Sequence, residues 1–103
     1  MAYHLMRTER GPAWDHSRGL REQRDWDAHA AYLDRLAEHG VVVLGGPVSG
    51  DDGTVAVLIV EAFDEAAVRA LFTVDPWMGS ILNIKSIEPW SIWLRSRAVA
   101  VPA

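Results

Sequence analysis

The run Val55-Ala-Val-Leu-Ile-Val60 constrains this chain more than any other feature of its sequence. It has the length of a strand and falls far short of the roughly 20 apolar residues that a membrane span needs. A strand in an antiparallel sheet with one wet face alternates apolar and polar residues. This one does not. Val55, Val57 and Ile59 point one way, and Ala56, Leu58 and Val60 point the other. The run Val41 to Leu44 is likewise apolar on both sides. Both faces of the sheet therefore need a cover, in a chain of only 103 residues.

Two helices supply one cover. From Asp25 to His39, Leu33, Leu36 and Ala37 fall on one stripe, with His29 and Tyr32 a turn earlier. Asp25 is placed to cap the start and Gly40 to give a left-handed stop. Asp64 is placed to cap a second helix, with Ala67, Val68, Leu71 and Phe72 as its stripe. Strands are expected at Ala2 to Arg7, Val41 to Leu44, Thr54 to Glu61 and Ile81 to Leu94, the last interrupted at Pro89. Gly45-Gly46-Pro47 reads as the exit from the second strand. Gly50-Asp51-Asp52-Gly53 reads as a hairpin signal. Thr8 to Gln23 reads as a long connection. The order is β-α-β-β-α-β: an α+β, ferredoxin-like fold with a four-stranded antiparallel sheet and two helices on one face. The second face is left for another copy of the chain, and a homodimer is the expectation. Trp90, Ile92 and Leu94, on one side of the last strand, add to that expectation.

Composition excludes several classes of function. Hydrophobic residues make up 50% and charged residues 23%, the balance of a folded protein. One domain is expected over residues 1–103, with a tail at 95–103 that frays. The net charge of −4 argues against nucleic acid as a partner. No apolar stretch suits a membrane or a secretory signal. The absence of cysteine removes disulfides, thiolate metal sites and thiol nucleophiles, and is compatible with a cytoplasmic location. No hydrolase elbow, dinucleotide loop or phosphate-binding loop is present, and no cofactor is expected. Five of the ten cations, Arg7, Arg10, Arg18, Arg21 and Arg24, lie in the first 24 residues. They read as solvated surface charge or, more sharply, as a lid over an anion.

His29 is the residue with the clearest chemical potential. It lies four residues before Leu33 and seven before Leu36, so it faces the sheet. Shielding from water favours a neutral imidazole, the form that accepts a proton. The plain structural reading is a buried histidine bonded to a backbone carbonyl. Asp75, before Pro76, has an equally plain reading as a turn cap. Yet both helices pack on one sheet face, so Asp75 after the second helix can approach His29 on the first. A carboxylate on the far nitrogen of an imidazole fixes its tautomer and makes a general base. His4 reads as polar filler in the first strand, and His39 as a complement to the helix dipole. A metal site from Asp15, His16, Asp25 and His29 lacks a defined ligand set, and none is expected.

Four segments carry a resemblance. His29-Ala-Ala-Tyr32-Leu33, Gly45-Gly46-Pro47, Asp75-Pro76-Trp77 and Ile87-Glu88-Pro89-Trp90 together resemble the YciI-related (YCII) family, from the first strand to Trp90. The resemblance implies a dimeric α/β barrel, in which two ferredoxin-like sheets pack face to face. It implies an active-site histidine and aspartate at His29 and Asp75. It also implies kinship with a dehydrochlorinase of chloroaromatic breakdown and with the fold of muconolactone isomerases. The sequence departs from the family at Ala30, where leucine is usual. It departs again at Asp25-Trp26-Asp27, where an arginine is common shortly before the histidine.

Two functions follow as expectations. In the first, a cofactor-independent lyase or isomerase uses His29, oriented by Asp75, to take a proton beside the carbonyl of a small cyclic or aromatic substrate. Tyr32 and Ser49 are candidates to polarise the carbonyl oxygen. Gly46 leaves room for the ligand, and Trp77, with Trp14 and Trp26, lines an aromatic pocket. In the second, the same pocket belongs to a non-catalytic dimeric module that binds a small molecule.

Overall fold

The computed structural model describes residues 1–48 and 55–96. Its element order is β1 (Ala2–Arg10), α1 (Trp26–Glu38), β2 (Val42–Pro47), β3 (Ala56–Ala62), α2 (Glu65–Phe72) and β4 (Leu82–Pro89), with a 3-10 turn at Leu20–Glu22 before α1. The four strands form one antiparallel sheet in the order β2-β3-β1-β4. This is the ferredoxin-like α+β arrangement that the sequence predicts.

Register explains why β3 is apolar on both sides. Met6 of β1 pairs with Leu58 of β3 and Ile87 of β4. All three enter the core with Val60, Leu36, Val68 and Phe72 from beneath the helices. The alternate residues face away: Leu5 pairs with Ile59 and Arg7 with Val57. On that open side Leu5 and Val57 are half-buried and Leu44 is exposed.

The local stop and start signals divide. Gly40 takes φ +73 and ends α1 as expected, since a left-handed residue there costs glycine least. Asp64 caps α2, its carboxylate accepting the Ala67 N–H at 2.8 Å. Asp25 does not cap α1. It stands at the N-terminal boundary, but in the left-handed region (φ 61, ψ 24) and without a side-chain cap bond. Its carboxylate instead meets Arg24 Nε at 3.5 Å. The reason lies 53 residues away, where the Trp77 indole N–H donates to the Arg24 carbonyl at 2.5 Å and fixes the chain on entry to the helix.

Three boundaries move. β1 runs on to Arg10, so the expected connection from Thr8 is shorter than its sequence suggests, and Thr8 is buried. Gly45-Gly46-Pro47 belongs to β2 rather than leaving it. β2 is an edge strand, where a proline without an N–H is tolerated. β4 stops at Pro89, so Trp90, Ile92 and Leu94 do not share a strand face. Beyond it Trp93 is 90% exposed and Leu94 92%. Ser49 and the Gly50–Gly53 turn lie outside the described residues, as does most of the tail.

The connection from β1 to α1 is pinned from both ends. Gly11 N–H donates to the Ile81 carbonyl at 2.8 Å, and Ala13 N–H to that of Ser80 at 2.9 Å. A Cβ on Gly11 would sit 2.1 Å from the Ser80 oxygen, so only glycine fits. Buried Gln23 then bonds Asp15 twice: its Oε1 accepts from the Asp15 N–H at 2.9 Å, and its Nε2 donates to the Asp15 carbonyl at 2.8 Å. The Nε2 also donates to the Arg18 carbonyl at 3.0 Å. These bonds order a segment whose Gly11-Pro12 and Gly19 suggest mobility. The arginines do not gather into a lid. Arg10 lies over Trp14, Arg21 over Trp26, Arg18 beside Asp15 and Arg7 beside Glu88.

Candidate active site

His29 sits one turn into α1 and is only 6% exposed. Its burial follows from the stripe it shares with Leu33 and Leu36. Asp75 follows α2 in a tight turn, where its carbonyl accepts the Met78 N–H at 3.3 Å. That turn carries the Asp75 carboxylate back beneath α1. His29 Nδ1 lies 2.9 Å from Oδ1 and 3.0 Å from Oδ2 of Asp75, across 46 residues of sequence. A carboxylate only accepts, so Nδ1–H is the donor, and in the neutral form of the ring the lone pair is then on Nε2.

The plain reading of Asp75 is also realised. Its Oδ1 accepts the Trp77 N–H at 3.0 Å. One carboxylate thus holds its own turn and the imidazole together, using two oxygens for both. Trp77 is fully buried and stacks on the histidine, with ring centroids 4.1 Å apart and planes 8° from parallel. Trp26 tilts against both rings. Trp77 also belongs to a second apolar cluster with Trp14, Ile81 and Leu82, of which Leu82 also borders the cavity beside His29. The imidazole is therefore held by a hydrogen bond at one edge and by an aromatic face.

The His29 ring borders a cavity of about 470 Å³ between α1 and the β1–β3–β2 part of the sheet. That volume falls in the range of small-molecule sites and leaves ample room for a ring system. Its walls are mostly apolar: Trp26, Trp77, Leu33, Leu58 and Phe72 among them, with Gly45, Gly46 and Pro47 of β2 on one side. Trp77 and Gly46 thus border the cavity, while Trp14 lies behind the site rather than in its wall. A Cβ on Gly46 would meet nothing within 4 Å, and Gly46 pairs with Val57 on the open side of the sheet. A Cβ on Gly45 would come within 3.2 Å of Leu58 Cγ, on the cavity side.

Tyr32 does not line the cavity. Its hydroxyl donates to the Leu71 carbonyl and ties α1 to α2. Burial, then the nearby negative charge of Asp75, pushes that hydroxyl above the ordinary tyrosine value of 10.0, with Arg35 opposing. Ser49 lies outside the described residues.

Two polar wall residues escaped the sequence reading. Thr8 continues the alternation His4-Met6-Thr8, a signal hidden by ending β1 too early. Asp34, five residues after His29, had no signal beyond its place on α1. Among the described residues, no three histidine or acidic side chains are gathered as a metal would need. No helix there is long and apolar enough to cross a membrane.

Comparison with known proteins agrees with this architecture. A solved structure of 5-chloro-2-hydroxyhydroquinone dehydrochlorinase from Burkholderia phenoliruptrix AC1100, in complex with 2,5-dihydroxybenzoquinone, is similar over 95% of this chain and 98% of that one. The two chains are 24% identical and superpose with a TM-score of 0.57, a likeness of fold. No curated protein matches. The YCII-related domain family, however, matches residues 1–91, from the first strand through the last, with His29 and the Asp75 turn inside the match. On that coverage, the chain belongs to the YCII-related domain family.

Proposed function

We propose that this protein is a cofactor-independent lyase or isomerase acting on a small cyclic or aromatic carbonyl compound. The observation that carries the reading is His29 Nδ1 held by both Asp75 oxygens while its ring borders an apolar cavity of small-molecule size. His29 Nε2 takes a proton from the carbon beside the carbonyl. The electron pair moves onto the carbonyl oxygen as an enolate. It then returns either to expel a leaving group such as chloride from the adjacent carbon, or to collect a proton at a different carbon. Asp75 stabilises the imidazolium formed in the first step. Trp77 and the Asp75 bond prevent the ring from turning away. A positioned histidine base contributes about 10²–10⁴-fold. The family and the dehydrochlorinase fold support this class of chemistry.

The bond from Trp77 N–H to Asp75 gives the carboxylate a structural role as well, which favours the non-catalytic binding module as the second reading. One experiment separates the two. Chlorinated hydroxyquinols and small lactones are screened by thermal shift, and the ligands that bind are followed for chloride release or isomerisation. Turnover that falls about 10²-fold or more in His29→Ala supports the enzyme. Tight binding with no turnover assigns the module.

The homodimer belongs to the same proposal. Leu5, Leu44, Val57 and Ile59 lie on the side of the sheet opposite the helices, and a second sheet of the same chain is their natural cover. A cytoplasmic setting fits a chain without cysteine.

A further inference from the structure

We propose that Asp34 makes the cavity select rings without negative charge and reject carboxylates. The inference rests on the reading of the cavity as a site for a small ring, and it adds the electrical class of that ring.

Of the described side chains that border the cavity, only His29 and Asp34 ionise. The positive charge that His29 gains on protonation is matched by Asp75. Asp34 has no such partner: it makes no ion pair among the described residues. Among the described residues, no lysine or arginine lines the cavity. The described cations on neighbouring segments stay out of the lining. Arg21 lies 5.9 Å over the Trp26 ring, Arg24 pairs with Asp25 at 3.5 Å, and Arg35 lies 5.6 Å over Tyr32. The connecting sequence Ser49 to Thr54 contains two aspartates and no lysine or arginine.

An anion entering this space loses water and meets no lysine or arginine among the described lining residues, and apolar walls offer nothing in exchange. Low-dielectric walls also focus the field of Asp34 into the opening. A neutral ring meets neither penalty. A cation gains from Asp34 and from the face of Trp26.

The test uses two rings of the same shape: 2,5-dihydroxybenzamide, which is neutral, and 2,5-dihydroxybenzoate, which is charged. Binding is read by calorimetry and by quenching of tryptophan fluorescence, at low and high salt. The amide is expected to bind at least about tenfold more tightly at low salt. Asp34→Asn, at an exposed helix position, should narrow that gap by about threefold to fivefold by strengthening benzoate binding, with the Kd of the amide unchanged. High salt should narrow it in the unmodified protein and have less effect in the variant. Arg21→Gln should not narrow the gap. Equal binding of the two rings overturns the proposal, as does a gap that Asp34→Asn leaves intact. Binding of neither ring removes the underlying reading of the cavity, and the proposal with it.

Discussion

His29 lies flat on Trp77, with centroids 4.1 Å apart, while its Nδ1 is bonded to the residue two positions before that tryptophan. A single turn, Asp75-Pro76-Trp77, therefore supplies both the carboxylate that fixes the imidazole edge and the aromatic surface that fixes its plane. Pre-positioning of this kind spares a general base the cost of finding its orientation in each turnover. The turn is in turn held by Gly11 and Ala13 through Ser80 and Ile81, and by Arg24 through the Trp77 indole.

The tautomer of His29 gives the most direct check on this arrangement. In the unmodified protein the proton is expected on Nδ1, visible as a neutral Nδ1–H form in nitrogen-15 spectra of the ring. Asp75→Asn keeps an oxygen for the Trp77 N–H but offers an amide to Nδ1, so the proton should move to Nε2. Catalysis, once a substrate is known, should fall with it. Loss of stability should stay within about 1–3 kcal/mol, the cost of one weakened buried polar contact. An Nδ1–H signal that survives in Asp75→Asn would refute the assignment.

Gly11→Ala should act on the site from a distance. The added Cβ meets a backbone oxygen, which has little room to yield. A loss of about 1–3 kcal/mol in denaturant unfolding is expected. Near-ultraviolet dichroism should report disturbed packing of Trp14 and Trp77.

The two helix-start aspartates should behave differently. Asp64→Ala removes a real cap and should cost about 1 kcal/mol. Asp25→Gly removes no cap bond and relieves a left-handed residue, leaving stability within about 0.5 kcal/mol. Thermal unfolding of both variants decides the point.

Tyr32 predicts a loss of stability in alkali. Its hydroxyl holds its proton in the folded chain to a higher pH than in the unfolded chain. Below the ordinary tyrosine value the contribution is complete. Above it the unfolded state binds fewer protons than the folded state, so stability declines as pH rises. Tyr32→Phe should be less stable at neutral pH, by about 0.5–1.5 kcal/mol for the lost bond to Leu71. Its decline above about pH 10 should be shallower.

Adjacent residues of β3 should separate the core from the proposed interface. Leu58→Asp puts a charge beneath the helices and should cost about 4 kcal/mol or more, enough to unfold the chain. Val57→Asp puts one on the open side. It should leave helical dichroism intact while sedimentation shifts from dimer toward monomer. A clean monomer of the unmodified protein at micromolar concentration would end the dimer proposal.

Much of the chain was legible because it depends on near neighbours. The stripe that carries His29, Leu33 and Leu36 follows from helical spacing, and the Asp64 cap and the Gly40 stop follow from residues within one turn of each. The two-sided β3 announced a sheet with apolar residues on both faces. The β-α-β-β-α-β order then followed, and with it the nearness of His29 to the Asp75 turn. What the sequence left open was the choice among partners. Asp25 and Asp64 look alike before their helices, yet only Asp64 caps, because Trp77 claims the backbone beside Asp25 from 53 residues away. Gly45-Gly46-Pro47 looks like a strand end, but pairing with β3 at the sheet edge keeps it extended. Asp75 could have turned either to its own backbone or to His29, and the packing of α1 over the turn let it do both. Local spacing fixes which groups a residue can reach along its own element. Only the tertiary contacts, made between groups dozens of residues apart, decide which buried donor meets which acceptor.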